Sequence, residues 1–462
     1  MSTLLERLEY GFDRDSRRTW RRRALTTGED NAYGYDGLSQ VVNAARGNLN
    51  LNTTAIGGVP AEAQAWDYDP TGNWRGYETK ANGSVVLDQS RVHDKGNRLT
   101  QIEGAPNPVL LDRAGRMREV SPDAAGNWNQ SMVVKWDAWS RVTQVRRKSD
   151  GAVLGTYTYD GLTRRLTQSV GGTTTHTYYS DAWRPLEERL NNQTTAARQY
   201  YWGARHRDDL VRRDRATTSG GSLNETRYVL MDYFSPAAIT DGSGTVKERY
   251  AFSAFGVRRI LTPAFGDRAT SECDFTFAFQ GQFLDIESGF LNYGYRYYSP
   301  HLGRWFSKDP IAERGGNSLY AYSNNAPTNF VDLFGRAFQT PQWQCLGALT
   351  VTLVPSKKGC KCSKDKLTAD GIGIGATASE ATKEAKSNAK GKLQLPKRCK
   401  FGAEATWKWS SDGCSEIPRP KPPGSYDPGP DDEMMRRPPK HRDERMIHPP
   451  PPVHGPPPDV LA

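Results

Sequence analysis

The sequence holds no run of eighteen consecutive apolar residues, so no segment reads as a membrane-crossing helix. Its opening, MSTLLERLEYGFDRD, lacks the basic-then-apolar layout of a signal peptide. An exported product is therefore expected to use another route, or to belong to a longer product. Hydrophobic residues make up only 36% of the 462, too few for many helices with broad apolar stripes. Cysteine is scarce where the chain is longest, since of the six only Cys273 precedes residue 337. Between Ala337 and Ile417 there is no histidine, which excludes a histidine-based nuclease of the finger type, and no Ser-His-Asp, Cys-His or phosphate-loop arrangement is found there. Acidic residues are not lacking: 52 of them are interspersed with 62 basic ones, so the net charge of +10 reads mostly as solvated surface.

What is present is glycine, at 44 residues, and aromatics, at 10%. Both suit short strands joined by tight turns, and an all-β fold is expected. A weak period of about twenty residues runs through the first 250. Its units are FDRDSRR from Phe12, YDGLSQV from Tyr35, YDPTGNW from Tyr68, HDKGNRL from His93, LDRAGRM from Leu111, WDAWSRV from Trp136 and YDGLTRR from Tyr159. In each, an aromatic or apolar residue precedes Asp, a turn follows, and an alternating strand leaves it. Asp at the head of a β-turn accepts hydrogen bonds from the next backbone amides, and Gly or Asn near its end tolerates positive φ. In YTYDGLTRRLTQSV, alternation assigns Tyr157, Tyr159, Leu162, Leu166 and Val170 to the buried face. One hairpin cannot bury its apolar face alone, so the units are expected to stack edge to edge into a continuous sheet.

The stretch Arg296–Arg336, RYYSPHLGRWFSKDPIAERGGNSLYAYSNNAPTNFVDLFGR, resembles the core segment of Rhs (YD-repeat) proteins. Tyr228–Phe255 and Phe277–Tyr298 resemble the run that leads into it, and the repeats carry the resemblance back to about Tyr10. That resemblance implies a β-hairpin strip spiralling into a partial hollow shell over residues 1–250, and a repeat-associated core over 251–336 that packs as a plug. It further implies that Arg296, Asp309 and Asp332 form a self-cleavage centre, their spacing of thirteen and twenty-three residues agreeing with the family pattern. Two carboxylates held close do not both ionise cheaply, so one keeps a proton as general acid while the other activates water. A guanidinium beside them holds one in its ionised form. Cleavage would fall between Arg336 and Ala337, making the chain at most a single-turnover aspartyl autoprotease. The family's scissile end reads Asp-Pro-x-Gly-Leu, whereas this chain reads DLFGR over Asp332–Arg336. A fixed φ is lost, and a charge stands where the family has an apolar anchor.

Residues 337–417 read as a small α+β domain. Leu346–Val354 and Ala403–Trp409 alternate like strands, and Thr377–Lys392 is helical in pattern with a capping box at Thr377 and Glu380. Cys345, Cys360, Cys362, Cys399 and Cys414 suggest two disulfides in an oxidising compartment. Four thiolates on zinc are the alternative, on poor spacing, and no metal site is assigned. The many lysines between Lys357 and Lys400 fit a solvated surface better than a nucleic-acid face. Residues 418–462 are proline-rich and expected to be disordered. Two functions follow from the resemblance. One is a shell of polymorphic-toxin type, secreted or at the cell surface, that encloses or presents its own C-terminal domain, with an immunity protein as partner. The other is a non-enzymatic surface protein for adhesion or carbohydrate contact. Neither requires a cofactor or a membrane span.

Overall fold

The computed structural model describes residues 4–105, 109–121, 131–315, 318–336, 338–339, 341–355, 366–375 and 403–418. Among them every regular element is a strand, apart from three short 3-10 turns at Phe279–Gly281, Ala312–Gly315 and Ser323–Asn325. Eight strands follow one another from Leu8–Phe12 to Leu99–Ile102, and fourteen from Glu119–Val120 to Asp267–Arg268, each paired with its predecessor. Backbone bonds from Val109 N to Thr100 O (2.8 Å), Arg118 N to Leu110 O (2.8 Å) and Val134 N to Arg118 O (2.9 Å) carry the ladder between the two sets. The hairpins thus form one antiparallel wall, which continues past residue 250 to Arg268.

The repeated turn explains why this sequence builds such a wall. At Asp137, Oδ1 accepts the amides of Trp139 (2.9 Å) and Arg141 (3.0 Å), while Oδ2 accepts Arg141 Nε at 2.6 Å. The residue before the arginine, Ser140, takes φ of 62°. The same bonds recur at Asp13, Asp94, Asp112 and Asp160. Each unit then grips its neighbours. The arginine reaches forward to the next turn, as Arg116 Nη1 to Asp137 O (2.6 Å) and Arg141 Nη1 to Asp160 O (2.9 Å). The aromatic residue reaches back, as Trp136 Nε1 to Met117 O (2.8 Å) and Tyr159 Oη to Val142 O (2.6 Å). Replacing Asp137 by Ala strands two amides and one guanidinium, and a loss of about 1–2 kcal/mol in urea unfolding is expected.

These turns also set the register, and here simple alternation fails. Tyr157 is buried as expected, but Leu162 and Leu166 are 57% and 39% exposed. The turn at Asp160 and the irregularity between Thr158 and Tyr159 rotate the strand, so that Arg165 points inward instead.

The inner face of the wall is covered by the segment that follows it. Phe290, Tyr297, Leu302 and Phe306 pack on Leu99, Met117, Val134, Val142 and Val145. Phe275 and Phe277 pack on Tyr200, Leu210, Val229 and Ile239. Within that segment, Phe283–Asp285, Phe290–Asn292, Tyr297–Ser299 and Arg304–Trp305 form a four-stranded sheet. The wall also meets itself. Glu6 binds Arg249 (2.7 Å), Tyr10 and Arg21 bind Asp232 (2.6 and 2.7 Å), and the wholly buried Arg23 donates to Ala237 O and Tyr250 O.

In the tail, Pro341–Pro355 pairs with Lys366–Gly375 on one side and Ala403–Pro418 on the other. The central strand and Ala403–Pro418 contain the two expected strand stretches, and Lys366–Gly375 is an additional strand. Cys345 stands opposite Cys414 in the register. The expected helix at 377–392, Cys360, Cys362, Cys399 and residues 419–462 lie outside the described residues. Cys273 is a buried free thiol.

Candidate active site

Arg296, Asp309 and Asp332 come from three separate pieces of the core segment, and the structure brings them together. Arg296 precedes the strand Tyr297–Ser299, while Asp332 ends the short strand Val331–Asp332 that pairs with Phe338–Gln339. Asp309 sits in the connection after Arg304–Trp305, where its amide donates to Leu319 O and its carbonyl accepts Ala312 N–H.

One atom spans the carboxylates: Arg296 Nη2 lies 2.9 Å from Asp309 Oδ2 and 3.2 Å from Asp332 Oδ2. Arg296 and Asp332 side chains are 2% exposed and Asp309 is 7% exposed. The guanidinium stacks on Trp305 at 4.0 Å, and its Nε donates to Gly335 O at 2.5 Å. Burial pulls its pKa below the ordinary arginine value, against the two carboxylates. Burial likewise pushes Asp309 up to about 6; Arg296 and the Ile311 amide oppose the rise, and the neighbouring charge of Asp332 adds to it.

Asp332 faces the expected cleavage point. Its Oδ1 accepts the amides of Phe334 (3.2 Å), Gly335 (2.7 Å) and Arg336 (3.0 Å), the three residues that lead to the Arg336–Ala337 bond. Gly335 holds φ of 70°, and a Cβ there would stand 3.1 Å from Arg296 N and from Tyr293 Cβ. Glycine is required at that position. Arg207 fixes the same loop from the wall, donating to Leu333 O at 2.6 Å and stacking on Phe334 at 4.2 Å. Arg336 lies over Tyr295 at 4.6 Å, so its charged head has an aromatic seat where an apolar anchor was expected. Ala337 lies outside the described residues.

Two supports escaped the sequence reading. Gln280 accepts the Asp332 amide (3.3 Å) and Tyr322 Oη–H (2.5 Å) on Oε1, and its Nε2 donates to Phe330 O at 2.9 Å. A lone glutamine carries no pattern that announces this. Trp305 stands next to Arg304 in the sequence and carries no other signal of its stacking on Arg296.

A carboxyl poised near neutrality beside an acceptor carboxylate and a shared guanidinium is suited to proton transfer on an adjacent peptide bond. A model of the teneurin YD-shell family matches residues 3–328. The chain belongs to that family. This YD-shell protein is 26% identical over 281 residues to the tRNA3(Ser)-specific nuclease WapA of Bacillus spizizenii, a match covering 58% of the chain and 10% of the relative. It is 25% identical over 354 residues to the probable deoxyribonuclease RhsB of Dickeya dadantii, covering 72% of the chain and 22% of the relative. The chain therefore spans a small part of each relative. Among solved structures, the Photorhabdus luminescens Tc holotoxin pore shares the fold with a TM-score of 0.56 at 19% identity, over 72% of this chain and 17% of that one. The YD-shell match includes Arg296 and Asp309 and stops four residues before Asp332. No helix among the described residues is long and apolar enough to cross a membrane.

Proposed function

We propose that this YD-shell protein is a shell section of a polymorphic toxin, secreted or displayed at the cell surface, and that it cuts its own chain once after Arg336. The observation that carries the reading is the single Arg296 nitrogen bridging Asp309 and Asp332, with Asp332 holding the amides of residues 334–336. Asp332, bonded only to donors, acts as the base that takes a proton from water. The water oxygen bonds to the Arg336 carbonyl carbon, Asp309 delivers its proton to the Ala337 nitrogen, and the C–N bond breaks. Residues 337–417 then form the variable cargo, with an immunity protein as its counterpart. A Cys345–Cys414 disulfide, supported by their opposed register, would staple that cargo.

Intact-mass measurement of purified protein tests the proposal. Fragments 1–336 and 337–462 are expected from the wild type, and Asp309→Asn or Asp332→Asn should leave a single uncut chain. An uncut wild type would sink the self-cleavage reading. Because Asp309 must carry a proton and titrates near 6, the cleavage rate is expected to fall as pH rises through about 6, roughly tenfold per unit beyond it. A rate flat from pH 5 to 8 would remove Asp309 as the acid.

A further inference from the structure

The turn that ends the core shares its aspartate-to-amide bonds and its glycine conformation with the wall's repeat turns. Asp112–Arg116 reads DRAGR and Asp332–Arg336 reads DLFGR. In both, the aspartate Oδ1 accepts the amides two and four residues on, at 2.9 and 2.9 Å for Asp112 and 3.2 and 3.0 Å for Asp332. In both, a glycine one residue before the arginine has positive φ, 80° at Gly115 and 70° at Gly335.

They differ in three bonds: the Gly335 amide goes to Asp332 Oδ1 (2.7 Å) where Gly115 donates to Asp112 O, the Asp332 amide goes to Gln280 Oε1 (3.3 Å) where Asp112 donates to Arg116 O, and the arginine clasp is missing. In five repeat turns the arginine four residues on donates its Nε to the aspartate Oδ2, at 2.6 Å each time. At Asp332 that oxygen is bonded by Arg296 instead, at a longer 3.2 Å, and Arg336 rests on Tyr295. Arg296 is divided, since the same nitrogen serves Asp309. A guanidinium from outside has thus taken the place that the turn's own arginine fills elsewhere in this chain.

We infer that Arg336 is a built-in competitor of Arg296 for Asp332: it can swing from Tyr295 to clasp the Asp332 carboxylate as a repeat turn does, and while clasped the cleavage centre is disassembled. In the clasped state Asp332 is engaged by the very residue whose carbonyl it must help to attack, and Arg296 is left to Asp309 alone. The competition belongs to this chain's DLFGR sequence, because it needs an arginine at position 336. The inference rests on the self-cleavage reading only for its consequence on rate; the exchange of partners stands on the turn geometry.

Two measurements test it. Arg336→Met keeps an unbranched side chain over Tyr295 while removing the rival guanidinium, and it should raise the first-order cleavage rate of the full chain about threefold or more. A wild type that cuts as fast as the variant, or faster, overturns the inference. The second readout does not need cleavage. In an Asp309→Asn background, a double-mutant cycle of Arg296→Gln and Arg336→Met is read by thermal unfolding. With Arg296 present, losing Arg336 should move Tm little. Without Arg296, the clasp becomes Asp332's partner, and losing Arg336 should cost a further shift of about 2–4 °C. Additive shifts overturn the inference, whether or not the wild type cuts. An uncut wild type with a coupled cycle would instead retain the clasp and remove the self-cleavage reading.

Discussion

Replacing Asp285 by Ala is expected to cost about 3–5 kcal/mol, enough to move the urea midpoint by more than most single changes. Asp285 lies in the four-stranded core sheet and meets Arg165 of the wall, whose Nη1 sits 2.7 Å from each carboxylate oxygen. The two side chains are 5% and 1% exposed. Arg165 also donates to Tyr297 Oη at 3.0 Å, and Tyr157 Oη donates to Glu287 two residues beyond Asp285 at 2.6 Å. Removing one carboxylate leaves a guanidinium buried against aromatic rings, and that stranded charge, more than the lost attraction, sets the cost. The paired change Arg165→Met with Asp285→Leu should therefore recover most of the loss. A double variant as weak as Asp285→Ala would show that the pair contributes through geometry alone.

A similar loss, about 3–5 kcal/mol, is expected for Trp74→Ala. Trp74 is 2% exposed and packs with Trp66, Tyr77 and Phe255, at centroid distances of 5.8, 5.3 and 4.6 Å. Its Nε1 donates to Asn325 Oδ1 at 3.2 Å, and Arg91 stacks on it at 4.9 Å. Its ring lies so close to Gly303 that a Cβ there would fall 2.0 Å from it. Gly303 leads into Arg304–Trp305, and Trp305 seats Arg296. Thermal unfolding should show the loss of stability, and the proposed self-cleavage should slow with it as the seat loosens. Unchanged Tm would mean that the wall and the core segment hold together without this contact.

Much of this architecture was legible in the residues. Asp-turn spacing located the repeat turns because their chemistry is local: one carboxylate, two nearby amides and an arginine, all within five residues. The proposed cleavage centre was legible only through resemblance, since residues separated by thirteen and twenty-three positions carry no local signal. The structure brings both carboxylates to one nitrogen of Arg296. What escaped detection depends on partners far along the chain. Arg165 looked like a polar position on a wet strand, because its counter-charge lies 120 residues away. Leu162 and Leu166 looked buried, because strict alternation takes no account of a left-handed residue that rotates the strand after each turn. Gln280 and Arg207 likewise act on a loop that sequence proximity cannot associate with them.

The contacts that join the first hairpins to the last act as a gauge of circumference. Glu6 meets Arg249 and Arg21 meets Asp232 only because a fixed number of staves lies between them, as in a cask cut to one diameter. Adding or deleting a single Asp-turn unit would displace every one of those encounters by a stave's width, although each hairpin would still find its neighbour. Such seams, made between residues more than two hundred apart, are also the contacts that must await the rest of the fold.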